Sequence, residues 1–435
     1  MNNTIYLISL TLSGIKNIEK DITLNFYKKT VSKDFDPSNH RTKAIYGENG
    51  SGKTAIVLGV QLLKDLLTKE SLISNLAFQD YLKEIVNKKT ETLHLECEFF
   101  CRFRSVANVY KYRIVLAKNE SGKYVIANES MFSKNAEYAT SHYKSVFCVE
   151  NGELTSVLAD NKYLELLRGY TANLLTERPF VVALGVSKYS DQIQDSELIR
   201  CLAYLNIFGF QLVTSFEESD RRGGLYVLEF IKFLENKDDD YGGLRFRVDA
   251  IKGDTRIVST DDFEAYEKEV KKTEKFIKLF KHDLKGIEID KRQNNNNYEC
   301  TLLMNYGDYK VSIEFESTGI KKLVHFYDYL SMAVNGRIVF IDEMDSNIND
   351  VYLCKIIEFF KLYGKGQLCF TTHSVSPMEV LKDCKNSIDF LSTDSRIVPW
   401  KKSGNFAPGS LYRRGMIEYL PFNIEAEDFL GIIGD

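Results

Sequence analysis

The chain has 435 residues, 44% of them hydrophobic and 27% charged, with a formal net charge of −4. That balance suits a globular protein with a sizeable core, and it excludes a global basic field that would announce nucleic acid, so any such binding must come from a local patch. The length favours two structural units. The eight cysteines, Cys97, Cys101, Cys148, Cys201, Cys300, Cys354, Cys369 and Cys384, form no C-x-x-C pair, and several sit in apolar runs. This predicts reduced, mostly buried thiols of a cytosolic protein and argues against a metal–thiolate site. The opening MNNTIYLISL lacks a cationic leader region and a small-residue cleavage site, and no apolar run approaches the ~20 residues of a membrane span, so a cytoplasmic location without membrane contact is expected.

In chain order, residues 4–12 are β-branched and partly alternating, which predicts an opening strand; Ser13-Gly14-Ile15-Lys16-Asn17 then turns the chain. Ile22 to Phe26 alternates as a second strand, and a polar segment with Asp36-Pro37 and His40 leads on. Lys43 to Tyr46 reads as a short strand and Ala55 to Leu67 as an amphipathic helix. Between them, Gly47-Glu48-Asn49-Gly50-Ser51-Gly52-Lys53-Thr54 satisfies G-x-x-x-x-G-K-[ST] in full. A loop of this kind turns successive backbone N–H groups inward to make a concave nest for phosphate oxygens, and the following helix adds the positive end of its dipole. Lys53 is placed to reach the β- and γ-phosphates, and Thr54 to hold Mg²⁺.

Leu72 to Val86 continues as helix. Three β runs, Leu93 to Phe103, Val109 to Leu116 and Tyr124 to Met131, predict an antiparallel meander, with Phe99, Phe100, Tyr110 and Tyr112 as cross-strand aromatics. Residues 140–295 change character, with helical segments near 160–176, 195–206 and 223–236, the last followed by Asn236 to Asp240 and Gly242-Gly243 as a break. A long amphipathic helix is expected over 261–283, its apolar stripe made by Phe263, Tyr266, Val270, Ile277 and Phe280. Lys268, Lys271, Lys272, Lys275 and Lys278 lie on its other side. Interleaved with Glu264, Glu267, Glu269 and Glu274, they read either as a solvated face or as a nucleic-acid or partner surface. The run Gln293 to Asn297 reads as a turn or a short disordered loop.

Order returns from 298, with Tyr298 to Met304 and Tyr309 to Phe315 as a hairpin, then a helix over 319–334. Arg337 to Asp342 is a short buried strand, 350–362 a helix and Gly366 to Thr372 another strand, an order that builds βα units on a parallel sheet. Ile338-Val339-Phe340-Ile341-Asp342-Glu343 describes a buried strand whose C-terminal end carries paired acids into a ligand crevice. Asp342 would complete the Mg²⁺ environment, and Glu343 would accept a proton from an attacking water. Ser317-Thr318-Gly319-Ile320-Lys321-Lys322 opens the preceding helix. Taken alone it is an ordinary N-cap as readily as an anion receptor made of a hydroxyl, a glycine, exposed N–H groups and a lysine. Its place just before the acidic strand favours the receptor. Finally, Leu368 to Ser374 is a strand ending in His373, which could contact a γ-phosphate or simply cap the strand end.

The motifs GENGSGKT, ESTGIKK, IVFIDEMDS and FTTHS, in this order, resemble the ABC-type ATPase heads of the SMC and RecF group. More closely, the chain is similar to the compact stand-alone ATPases of bacterial anti-phage and abortive-infection systems, like the ATPase half of OLD nucleases and the ATPase subunits of Septu and PARIS. The run from Tyr412-Arg413-Arg414-Gly415 through Pro421-Phe422-Asn423 to Phe429-Leu430 resembles the tail of that family. The resemblance implies an α/β fold: a P-loop head built from 1–135 and 296–435, containing the antiparallel meander, with 136–295 as a mainly helical insertion. It implies ATP and Mg²⁺ held by Gly47, Asn49, Gly50, Ser51, Gly52, Lys53 and Thr54, with Asp342 supporting the metal. Glu343 would polarise water and His373 would be the switch histidine. Ser317, Gly319 and Lys322 would form a signature helix acting on nucleotide of the opposite subunit, with Asp345 in the loop that crosses the interface. The implied partners are a second copy bridged by ATP and a separate toxin or nuclease effector. The signature is not the LSGGQ of transporters, the glutamine loop finds only the unsupported candidates Gln79 and Gln192, and no Toprim pattern follows. Two rival readings stand beside this one: a RecF-like DNA-repair ATPase, and a nucleotide-bound scaffold that hardly turns over.

Overall fold

The computed structural model describes residues 4–103, 106–158, 161–184, 196–216, 248–252, 255–384, 386–401 and 407–417, and every structural statement below concerns these. The chain opens with β1 (Thr4–Ser13), β2 (Ile22–Asn25) and β3 (Thr42–Gly47), then α1 (Lys53–Thr68) and α2 (Leu76–Ile85). Five strands follow: β4 (Thr92–Phe103), β5 (Val106–Lys118), β6 (Tyr124–Asn135), β7 (Lys144–Glu150) and β8 (Glu153–Val157). Next come α3 (Asn161–Thr171), α4 (Phe180–Ala183), α5 (Ser196–Gln211), β9 (Leu212–Ser215), β10 (Val248–Lys252), β11 (Thr255–Ser259), α6 (Phe263–Ile277), β12 (Gly286–Asn294), β13 (Asn297–Asn305) and β14 (Lys310–Ser312). The remainder is α7 (Thr318–Val334), β15 (Ile338–Ile341), α8 (Asp350–Tyr363), β16 (Gln367–Thr371), α9 (Ser376–Leu381), β17 (Ile388–Leu391), β18 (Ile397–Pro399) and α10 (Pro408–Arg413).

The central sheet runs β18-β17-β3-β16-β15-β9, parallel except for β18. Its strands are apolar on both faces because each face meets a core. Ile338 and Phe340 point into one core with Ile45, Cys369 and Leu391, while Val339 and Ile341 point into the other with Tyr46, Leu368 and Phe370. This is why the short runs around 340 and 369 lack alternation. Pairing is long-range: β3 lies between β16 and β17, so the loop that leaves β3 sits beside loops from the far end of the chain.

A second sheet, β2-β1-β4-β5-β6-β7-β8, is antiparallel throughout and covers α1 from the other side. Helix α1 lies so close to it that a Cβ on Gly59 would stand 3.2 Å from Leu12. The two sheets are clamped by Gln367, whose buried amide accepts from the Leu7 N–H at 2.6 Å and donates to the Leu7 carbonyl at 2.9 Å, beside the irregularity in β1 between Leu7 and Ser9.

A third sheet, β10-β11-β13-β12 with β14 also on β13, packs under α6 through Tyr266, Val270 and Ile277. Arg256 joins it to α7 by an ion pair with Asp328 at 2.6 Å. The stretch expected as a mainly helical insertion, 136–295, therefore carries strands as well as helices. β7 and β8 extend the antiparallel sheet, β9 enters the central sheet beside β15, and β10 to β12 build the third. The Asn-rich run is not a loose loop: Asn295 and Asn296 close a tight hairpin between β12 and β13, with Asn295 at φ +54°. Helix α2 begins at Leu76 rather than Leu72 because the Asn75 side chain caps the Phe78 N–H. The expected helix at 223–236 and Gln192 lie outside the described residues.

Candidate functional site

The end of β3 delivers the glycine-rich loop. Gly50 and Gly52 stand at φ +79° and +108°, a left-handed region costly for other residues, and a Cβ on Gly52 would press on Ile18 and Asn17 at 2.9 and 3.0 Å. Asn17 donates its amide to the Gly50 carbonyl at 2.5 Å, so the turn after β1 pins the loop from the side. Lys53 folds back onto its own loop, donating to the carbonyls of Gly47 and Glu48 at 2.8 and 3.0 Å. Burial pulls its ammonium below the ordinary lysine range, opposed by the nearby carboxylates of Asp342, Glu343 and Asp345. Ser51 is fully buried, and its hydroxyl has no partner among the described residues. Thr54 occupies the second position of α1 and is half-buried.

The acids come from the end of β15. Asp342 is 2% exposed; one carboxylate oxygen accepts the Thr371 hydroxyl at 2.5 Å, and the other, Oδ2, has no partner among the described residues. Thr371 in turn accepts the Glu343 N–H at 2.8 Å. Glu343 sits at φ +45°, a strained backbone for a residue with a side chain, and it turns the chain at the mouth of the sheet. The Asp345 carboxylate accepts the backbone N–H groups of His373 and Ser374 at 3.1 and 2.9 Å, tying the acidic turn to the end of β16 and leaving the His373 side chain exposed.

Helix α7 begins beside this turn. Ser317 is its N-cap, exposed, its hydroxyl accepting the Ile320 N–H at 3.4 Å. A Cβ on Gly319 would fall 2.9 Å from the Asn347 carbonyl, so the glycine admits the turn against the helix. Lys322 points inward, donating to the Glu343 carbonyl at 2.6 Å and to the Ser346 hydroxyl. Burial brings its amine down to about 8 against the pull of Asp345, Glu343 and Asp342. The acids Asp342, Glu343 and Asp345 act on both Lys53 of the loop and Lys322 of α7, whereas Ser317 and Gly319 stand at the start of α7, Gly319 against the Asn347 carbonyl. No hydrogen bond or ion pair among the described residues joins Ser317 or Gly319 to the loop of its own chain.

Asn17 touches the loop and Thr371 the acids, and no motif in the sequence marks either side chain as part of the site. FTTHS drew attention to its histidine, although the threonine two places earlier makes the bonds. Gln79 is spent elsewhere: its buried amide donates to the Ile73 and Tyr124 carbonyls at 2.7 and 2.8 Å and accepts the Tyr124 N–H at 2.9 Å, fixing α2 to β6. On α6 and its C-cap, Lys268, Lys272 and Lys278 pair with Glu264, Glu269 and Glu274, while Lys271 and Lys275 stand exposed.

The donor set fits a magnesium nucleotide. A nest of N–H groups ends in a lysine and a threonine, a buried hydroxyl lacks a partner, and a buried carboxylate keeps one oxygen open across from it. Residues 211–378 match the family model described as "AAA domain, putative AbiEii toxin, Type IV TA system". The match covers less than half of the chain, from the end of α5 into α9, and takes in Ser317, the acidic turn and His373. It supports an ATPase family of AAA/ABC type linked to abortive infection, and with it a nucleotide-hydrolase domain of mixed α/β build. No curated protein matches the chain. No helix among the described residues is long and apolar enough to cross a membrane.

Proposed function

We propose that the protein is an ATP-dependent switch in which two heads close on ATP, each lending the start of α7 to the nucleotide gripped by the other. The observation that carries this reading is the separation just described. The loop 47–54 is exposed at Asn49 and Gly50 and feels Asp342 and Glu343 through Lys53, while Ser317 presents an exposed helix start with no bond to the loop among the described residues. An anion receptor so placed is available to complete a site on a second copy.

The residue roles follow from the geometry. Lys53 would leave the Gly47 and Glu48 carbonyls for phosphate oxygens, which offer an ammonium a stronger partner. Thr54 and the open oxygen of Asp342 would hold Mg²⁺, which when bound neutralises phosphate charge. Glu343, its backbone fixed by Thr371 and Lys322, would take the proton of the attacking water. His373 and Asp345 share one network at the mouth of the site, so phosphate loss sensed by the histidine would be felt in the acidic turn. The output is control of a separate effector, a toxin or nuclease, in a cytoplasmic anti-phage system. ATPase rate and ATP-dependent dimerisation test the reading. Glu343→Gln is expected to bind ATP and accumulate as dimer while losing turnover by ~100-fold or more. Equal hydrolysis by variant and wild type overturns the role of Glu343.

A second reading, a RecF-like DNA-binding ATPase, draws on Lys271 and Lys275, exposed on α6 without an ion pair among the described residues. Salt-dependent DNA binding that disappears on neutralising Lys268, Lys271, Lys272 and Lys275 would favour it.

A further inference from the structure

The turn that pins the phosphate loop is itself held in an unusual conformation. Lys16 stands at φ +48°, in the left-handed region that a residue with a side chain avoids. Both of its backbone groups are bonded to the end of α2 and the residues after it. Its N–H donates to the Ile85 carbonyl at 2.6 Å, and its carbonyl accepts the Asn87 side-chain amide at 2.7 Å. The Asn87 N–H reaches the Gly14 carbonyl at 2.9 Å, and Ile15 forms a β-bridge with Val86. Asn87 is 6% exposed. Its Oδ1 accepts the Lys89 and Thr90 N–H groups at 2.9 and 3.1 Å, so one end of the amide shapes the connection to β4 while the other holds the turn.

The other side of the turn carries the loop. Asn17 donates to the Gly50 carbonyl at 2.5 Å. Ile18 is fully buried and lies 2.9 Å from where a Cβ on Gly52 would stand. The loop therefore meets the turn at both of its left-handed glycines. At its other end α2 is fixed to β6 through Gln79 and the Tyr124 backbone. Helix α2 thus runs from the antiparallel sheet to the turn that carries the phosphate loop.

We infer that Asn87 is a positioning residue of the nucleotide site: it holds Lys16 in its left-handed turn, so that Asn17 and Ile18 keep the phosphate loop in the form that binds triphosphate. The inference rests on the nucleotide-site reading above. Backbone held in a sparsely populated region persists only where its surroundings impose it, and here Ile85 and Asn87 impose it. Released from Asn87, Lys16 relaxes toward the common backbone regions and Asn17 moves with it. A loop with two left-handed glycines has many other conformations open to it, and ATP selects the one with convergent N–H groups. If the binding-competent fraction falls, apparent affinity falls with it. A partner that shifts α2 on the antiparallel sheet would then set nucleotide affinity from outside the site.

The test is titration of the whole chain with a fluorescent ATP analogue and Mg²⁺, beside thermal unfolding of the same samples. Asn87→Asp keeps the acceptor for Lys89 and Thr90 and replaces the donor to Lys16 with an oxygen. Asn87→Ser is its uncharged counterpart, with a hydroxyl that can still accept from the following N–H groups but is too short to span to Lys16. Each is expected to bind about tenfold more weakly. Asn17→Ala, at an exposed position, is expected to do the same with Tm unchanged. Because both asparagines act through one turn, joining Asn87→Ser to Asn17→Ala is expected to cost about tenfold again, not about a hundredfold. Wild-type affinity in Asn87→Ser overturns the inference, whether or not its Tm falls, because Asn87 would then serve the fold alone. A loss of about a hundredfold in the double variant overturns it too, because the two residues would then act independently. Lys53→Ala is the control for the site. If it loses binding while Asn87→Ser does not, only the role of Asn87 is wrong; if it binds like wild type, the nucleotide site is misassigned and the inference falls with it.

Discussion

Thr371 does two jobs with one hydroxyl: it donates to Asp342 at 2.5 Å and accepts from the Glu343 N–H at 2.8 Å. Thr371→Val keeps the shape and removes both bonds, leaving a buried carboxylate oxygen and a strained N–H without partners. The expected result is a stability loss of about 1–3 kcal/mol and a fall in ATP turnover, checked by denaturant unfolding and steady-state rates. Unchanged turnover would mean that the hydroxyl is dispensable for placing the acids. At this scale the sequence was legible where chemistry demands fixed spacing. GENGSGKT needs Gly50 and Gly52 for left-handed backbone and its Lys53-Thr54 pair at the helix start, so it stands out with nothing else known. Asn17 and Thr371 reach the site from two distant stretches, and no spacing rule ties an asparagine after β1 to a loop it meets only in the fold.

Among the elements, β6 carries a group with a distinct pH signature. Glu129 is fully buried between the Tyr112 hydroxyl at 2.9 Å and the Phe180 N–H at 2.8 Å, and burial raises its carboxyl from the ordinary 4.5 to about 7. The folded state therefore keeps this proton where the unfolded state releases it. The contribution to stability is full below the unfolded value and is lost as pH rises through about 7. Glu129→Gln, which stays neutral, is expected to gain on wild type by a few kcal/mol (roughly 2–4) between about pH 5 and about pH 8 in paired unfolding curves. A constant difference would show that Glu129 does not bind the proton. Gln367 makes a second element-level prediction. Gln367→Ala strips the Leu7 backbone of both bonds and is expected to cost about 2–4 kcal/mol by denaturant unfolding. A loss below ~0.5 kcal/mol would mean that the two sheets do not depend on this clamp.

Long periodic elements were legible at this scale: α1, α7 and α8 start and stop within two residues of expectation, helped by capping at Ser317 and Asn349. The strands within 136–295 were not. β9 is four residues long, half polar, and is a strand because it pairs with β15, and β7 continues a sheet whose earlier strands are longer. Short strands take their identity from neighbours, and that information is long-range.

Taken whole, the molecule is a parallel sheet between two cores, with α1 and the antiparallel sheet on one face and α7, α8 and α6 on the other. The loop 47–54 belongs to the first side and the start of α7 to the second, joined through the acidic turn at the sheet's C-terminal edge. On the proposed reading, a change at one nucleotide phosphate would be carried to α7 and to whatever α7 meets. The composite site is the central claim, and mixing two inactive variants tests it most directly. Lys53→Ala spoils the loop and Ser317→Arg blocks the helix start, so each homodimer has two broken sites, while a mixed pair keeps one intact. With random pairing, the account predicts that mixing two silent proteins restores about a quarter of wild-type ATPase activity. Silence in the mixture, with both variants folded and able to pair, would contradict it.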